Sequence, residues 1–244
     1  MKISPTLTEV KEIAKTGKYD ILPVSCEILS DFITPIEAMR ILRNVSTHCY
    51  LLESAQANEA WGRYTFLGYD PKLEINCIDG HMKLGKLSVE TENPSEYIRQ
   101  ILSEYKSPKF DYLPSFTGGL VGYFSYDYLG YKEKCIRGKA RDTEDFKDVD
   151  LMLFDKVIAF DNLCQKIILI ANMSLDAPET GYNKAIVELK QLRELLMHGE
   201  KKQNMGGKLL GEVTPLFDKE QYCEMVEKAK PVSYTHLTLP TTER

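Results

Sequence analysis

The sequence predicts an α+β fold, a layered sandwich of mainly antiparallel sheet with helices on its outer faces. Three observations carry that expectation. Apolar residues alternate at the strand period from His48 to Gly85 and again from Leu151 to Ala171. The Asp79-Gly80 dipeptide joins two of these runs, and Asp-Gly favours the paired positive φ angles of a type I′ hairpin turn, whose twist suits antiparallel strands. Several stretches of helical period, most with start signals of their own, stand between and after the strand regions.

The elements follow in order along the 244 residues. Thr8 is placed as the cap of a short helix over Glu9 to Thr16, stopped by Gly17. A second helix, Asp31 to Arg43, has a better-marked start. Thr34, Pro35 and Glu37 supply a cap, a first-turn proline and the third-position carboxylate of a capping box. Ile36, Met39, Ile41 and Leu42 form its apolar stripe, which predicts packing on a sheet. Strands are predicted over Tyr50 to Ser54, Tyr64 to Tyr69, Leu73 to Ile78 and His81 to Leu84. Asn93, Pro94 and Glu96 open a third helix with Ile98, Ile101, Leu102 and Tyr105 on its buried face, ended by Ser107 and Pro108.

From Pro114 to Asp127, Gly118, Gly119 and Gly122 interrupt a strand of Leu120, Val121, Tyr123 and Phe124. Glycines there point to close backbone approach, and GGLVG lacks the spacing and the Lys-Ser/Thr of a phosphate loop. Lys132 to Asp148 is charged and poor in apolar residues, as an exposed connection would be. Leu151 to Phe160 and Lys166 to Ala171 read as one long hairpin across Asp161 and Asn162. Pro178 opens the longest helix, running to about His198 with Ile186, Leu189, Leu192, Leu195 and Leu196 inward. A Gly-, Lys- and Asn-rich stretch follows, then a last helix from Lys219 to about Lys230, capped by Asp218.

Composition narrows the function classes. With 43% hydrophobic residues the chain can bury one large core or two modest ones. A net charge of -5 with dispersed Lys and Arg argues against nucleic acid as a partner. No apolar run reaches membrane-spanning length and the start MKISPTLTEVKEIAK has no apolar signal segment, so a cytoplasmic protein without membrane contact is expected. Cys26, Cys49, Cys77, Cys135, Cys164 and Cys223 include no CxxC pair, and His48, His81, His198 and His236 form no cluster. Neither a zinc site nor a disulfide framework nor a His-based catalytic centre is supported.

The segment Leu51 to Pro71, LLESAQANEAWGRYTFLGYDP, carries the chemistry. Glu53 and Ser54 end an apolar strand, and Arg63 precedes the next. A carboxylate accepts hydrogen bonds from an α-ammonium group and a hydroxyl adds a donor or acceptor beside it, which is amino-acid recognition chemistry. The bland alternative is a surface ion pair between Glu53 and Arg63, worth little energetically. Trp61 reads as a packing residue.

LLES followed by WGRYTFLG resembles the N-terminal half of anthranilate synthase component I. FTGGLVGYFSYDYL from Phe116 to Leu129 and DLMLFDKVIAFDN from Asp150 to Asn162 resemble two further blocks of that family, in the same order. Aminodeoxychorismate synthase component I shares the architecture, and a stand-alone amino-acid-binding module is the alternative of another class. The resemblance implies conversion of chorismate and ammonia to anthranilate and pyruvate, a Mg²⁺ requirement in the full-length enzyme, and a glutamine amidotransferase partner (component II). It implies L-tryptophan as feedback inhibitor, with Glu53, Ser54 and Arg63 in its site and no catalytic residue or metal ligand in this chain.

The same resemblance sets the domain expectation. Residues 1–199 form the N-terminal regulatory domain, 200–216 a linker, and 217–231 the start of a helix leading into a chorismate-binding half. VSYTHLTLPT, from Val232 to Thr241, resembles a sequencing-library adapter translated in frame, so 232–244 are expected to be non-native and the fragment inactive alone.

Overall fold

The computed structural model describes residues 2–53, 62–133, 135, 146–202 and 206–236. In chain order the elements are β1 (Ile3–Ser4), α1 (Leu7–Lys15), β2 (Ile21–Leu29), α2 (Pro35–Val45), β3 (Cys49–Leu52) and β4 (Tyr64–Tyr69). Then come β5 (Leu73–Ile78), β6 (His81–Leu84), β7 (Leu87–Glu90), α3 (Pro94–Ser103) and β8 (Gly119–Phe124). The last are β9 (Val149–Phe154), β10 (Lys156–Asp161), β11 (Lys166–Ser174), α4 (Pro178–His198) and α5 (Lys219–His236). A six-stranded sheet has the order β1-β2-β11-β10-β4-β3, and a five-stranded sheet the order β7-β6-β5-β9-β8. Every strand pairing among the described residues is antiparallel, so the α+β reading holds.

Local chemistry explains the starts of the helices. Thr34 Oγ1 accepts the Glu37 N–H at 3.3 Å while the Glu37 carboxylate accepts the Thr34 N–H at 3.4 Å, the capping box expected for α2. Replacing Thr34 by Ala is expected to cost about 1 kcal/mol, read as a lower thermal midpoint. The first helix corrects its expectation: Thr6, not Thr8, is the cap, because Thr6 and Glu9 make the same reciprocal pair. Ile36 and Leu102, assigned to buried faces, are exposed. Burial on α2 falls on Ile41 and Leu42, as expected, and on Ala38. The third helix stops at Ser103, short of Ser107 and Pro108, and Asn93 supplies no side-chain cap.

Helices α1, α2 and α4 cover one face of the six-stranded sheet. Val10, Ala38, Leu42, Leu189 and Leu192 meet Leu22, Val24, Ile158, Leu169 and Ala171 there. On the opposite face Val157, Ala159, Ile168 and Ile170 pack with Leu113 and Phe116. The central strands β10 and β11 are therefore apolar on both sides, which is why IILIA reads as a continuous run. Ile98 of α3 joins Ile75, Cys77 and Met82 on the second sheet.

Three strands escaped the sequence reading, the two-residue β1 among them. ILPVSCEIL forms β2, whose nine residues all pair with β11, and LSVE forms β7. The predicted strand Leu151 to Phe160 is also two strands in two sheets, with the break at Asp155. Its partner changes at the same place, since β4 pairs with β10 while β5 pairs with β9. The two chain segments thus cross from one sheet to the other side by side, at residues 70–72 and 155.

Glycine geometry at two places matters. Asp79 and Gly80 have φ of 48° and 84°, the type I′ signature, and join β5 to β6 as expected. Gly122 has φ of 154°, and a Cβ built on it would lie 1.9 Å from the Asp150 carbonyl oxygen. GGLVG is a strand pressed against β9, as the packing explanation requires.

The contacts divide the chain into a unit over Met1–Gln203 and another over Asn204–Arg244. In the second, Asp218 Oδ1 accepts the Gln221 N–H at 2.8 Å and starts α5, which continues past Lys230 through Pro231 to His236. Residues 237–244 of the adapter-like tail lie outside the described residues, as do 134 and 136–145 of the charged connection. No helix among the described residues is long and apolar enough to cross a membrane.

Candidate functional site

Strand β3 is an edge strand, and its ladder with β4 ends at the pair Leu52↔Phe66. Glu53 follows immediately and is exposed, with no hydrogen bond or ion pair among the described residues. Ser54 and Trp61 lie outside the described residues, so of the three predicted site residues the structure places Glu53 and Arg63. These two stand at the feet of one excursion between neighbouring strands. The simple Glu53–Arg63 ion pair is not formed, because Arg63 is committed elsewhere.

Its partner is Asp161, at the end of β10. Arg63 Nε donates to Asp161 Oδ1 at 3.1 Å and Nη2 donates to Oδ2 at 2.7 Å, a bidentate fork. The Asp161 side chain is fully buried and that of Arg63 is 36% exposed. Asp161 Oδ1 also accepts the N–H groups of Leu163 and Cys164, at 3.2 and 3.0 Å. Burial pushes this carboxyl upward, but the Arg63 fork and the Cys164 N–H outweigh it and bring it down to about 2. The Arg63 guanidinium is held protonated chiefly by its hydrogen bonds to Asp161.

Asn162 completes the anchorage. Its N–H donates to the Arg63 carbonyl oxygen at 2.9 Å, and its amide nitrogen approaches the Gly62 carbonyl and Thr65 Oγ1, both at 3.4 Å. Cys164 Sγ accepts from Arg63 Nη2 at 3.6 Å. The turn after β10 therefore clamps the start of β4 through both side chain and backbone.

Chemically, the arrangement offers two unlike handles. Glu53 presents a carboxylate without a competing cation, and Arg63 keeps Nη1 without a partner among the described residues. One accepts from an ammonium group and the other donates to a carboxylate. The sequence reading missed Asp161, Asn162 and Cys164 as parts of this place. The only signal was Asp161-Asn162 as a turn, and nothing in a turn signal says that it grips a residue 98 positions earlier.

Residues 47–232 match the family described as chorismate binding enzyme. The chain is similar to anthranilate synthase component 1 of Acetivibrio thermocellus, 32% identical over 244 residues that cover 93% of this chain and 47% of that protein. It is also similar to anthranilate synthase component 1 of Pseudomonas aeruginosa, 36% identical over 196 residues, covering 77% of this chain and 39% of the relative. Anthranilate synthase component I from Streptococcus pneumoniae TIGR4, a solved structure, shares the fold with a TM-score of 0.54 at 24% identity, over 85% of this chain and 45% of that one. The chain spans about half the length of the curated relatives it matches.

Proposed function

The chain belongs to the family of chorismate-binding enzymes, and from that premise we propose that it is the N-terminal regulatory portion of an anthranilate synthase component I. The full subunit would convert chorismate and ammonia to anthranilate and pyruvate, the first step of L-tryptophan biosynthesis, as a cytoplasmic lyase. The observation that carries this reading is the alignment of 93% of the chain with 47% of a protein named for that activity. With it goes a proposed domain division: 1–199 regulatory, 200–216 linker, 217–231 leading into the chorismate-binding half, and 232–244 foreign to the protein. On this reading the chain has no activity alone. Ammonia would come from a glutamine amidotransferase subunit, component II.

Mg²⁺ belongs to the full-length enzyme in this proposal. Among the described residues no three His, Cys, Asp or Glu side chains converge.

The role of this half is control. The ammonium group of L-tryptophan would be accepted by Glu53 together with Ser54, and its carboxylate met by Arg63 Nη1, which has no partner among the described residues. Inhibition requires that the amino acid bind one arrangement of the two halves more tightly than the other, since equal affinity shifts nothing. The Arg63–Asp161 fork supports such a role, because it fixes the cationic handle before any ligand arrives.

Isothermal titration of L-tryptophan into the full-length protein tests the assignment. Ser54→Phe, a bulky change at the residue that follows Glu53 in the chain, is expected to abolish measurable binding. Unchanged affinity in that variant overturns the regulatory reading.

A further inference from the structure

Where the two segments cross between the sheets, residues 70–72 and 155–156 and the end of β11 enclose with α4 a cavity of about 440 Å³. That volume lies in the range of small-molecule sites. Its depth has a structural cause. A Cβ on Gly181 would come within 2.8 Å of the Ser174 carbonyl oxygen, so only glycine lets α4 lie this close to β11.

The wall carries charges of both signs, and most are already matched. Lys156 Nζ donates to Asp70 Oδ2 at 2.9 Å, and Lys184 Nζ lies 3.7 Å from Glu188 Oε1. Asp155 is matched in charge by the neighbouring Lys156 but not in hydrogen bonds. Its Oδ1 is buried and has no hydrogen-bond partner among the described residues. The nearby Asn172 amide is spent on main-chain oxygens, donating to those of Thr117 at 2.7 Å and Asp155 at 2.9 Å. Asn172 therefore holds the corner together and gives nothing to the carboxylate.

A buried carboxylate oxygen without a hydrogen-bond donor, on the wall of a cavity and with the charge of Lys156 beside it, leaves a position open to a donor from outside the chain. Across the same cavity, Lys184 is 77% exposed and its ion pair with Glu188 is long, so its ammonium is available to an anion. We propose that this cavity binds a small zwitterion of the amino-acid class, its ammonium group on Asp155 and its carboxylate toward Lys184. The site is separate from Glu53 and Arg63. It lies at the other end of β4, whose six residues span roughly 20 Å. The proposal does not depend on the regulatory reading.

Saturation-transfer NMR and calorimetric titration of the 244-residue chain with the standard L-amino acids, L-tryptophan excepted, provide the test. At least one should bind, and Asp155→Asn should weaken it roughly tenfold or more while leaving the thermal midpoint unchanged or raised, since the variant removes a buried carboxylate oxygen without a hydrogen-bond donor. Glu53→Gln should leave the same affinity unaltered, which separates this site from the other. Absence of binding by every amino acid overturns the proposal, as does equal affinity in Asp155→Asn. So does competition by ammonium chloride alone that matches the amino acid, which would mean a water or simple cation at Asp155. If Asp155→Asn does not fold, Lys184→Met, an exposed change on α4, decides: weaker binding supports the site and unchanged binding removes it.

Discussion

Asp161→Ala is expected to destabilise the protein by about 2–3 kcal/mol, the cost of removing a buried carboxylate that accepts charge-assisted hydrogen bonds from a part-exposed guanidinium. Four donor contacts end on this carboxylate: two from Arg63 and one each from the backbones of Leu163 and Cys164. The substitution orphans all of them and unclamps the start of β4 from the turn after β10. Urea denaturation monitored by circular dichroism would give the difference, and a loss below about 1 kcal/mol, the level of exposed pairs, would show that the pair acts like a surface bridge.

The same carboxylate sets a pH dependence whose sign is determined. Its folded value, about 2, lies below the ordinary 3.8. The stabilisation is therefore complete above the ordinary value and is lost as pH falls from about 4 toward 2, amounting to about 2 kcal/mol. In Asp161→Asn that component of acid sensitivity should be missing, so the stability profiles of variant and parent should converge at low pH.

Gly122→Ala is the second large effect, expected to cost about 2–4 kcal/mol from a strained φ combined with overpacking. No side chain can move aside for the new methyl, because the obstacle is main chain: the Asp150 carbonyl oxygen at 1.9 Å and Leu151 Cα at 2.8 Å. The edge strand β8 would have to leave β9. Amide hydrogen exchange should then show lost protection along Leu120–Phe124, while β2 and β11 in the other sheet stay protected.

What the sequence disclosed divides by the range of the interaction responsible. Thr34 with Glu37 and Asp79 with Gly80 act over three residues or fewer, and both were readable because the chemistry is complete in the local string. The α4 stripe was readable from its period over twenty-one residues. Strand β2 was not, since Pro23 and Ser25 break its pattern and its regularity comes from pairing with residues about 145 positions later. The apolar run from Leu151 to Phe160 gave no sign of its break at Asp155, because both halves are buried and periodicity says nothing of which sheet buries them. At the candidate site, the motif disclosed Glu53 and Arg63 but not that Arg63 is already held. Charge complementarity between residues 63 and 161 exists only once β4 lies beside β10.

The place of β11 between β2 and β10 has a consequence for how the protein is made. Until Ser174 has left the ribosome, β2 can pair only with the two residues of β1, and its nine-residue ladder must wait. At ordinary rates of synthesis the delay between Leu29 and Ser174 is roughly 7–30 s. Through that interval the apolar face of Leu22, Val24 and Cys26 has no strand on its long side, and α4, which covers it, is made later still. The central ladder of the larger sheet is therefore among the last parts of this unit to close, and closes only when the eleventh strand arrives.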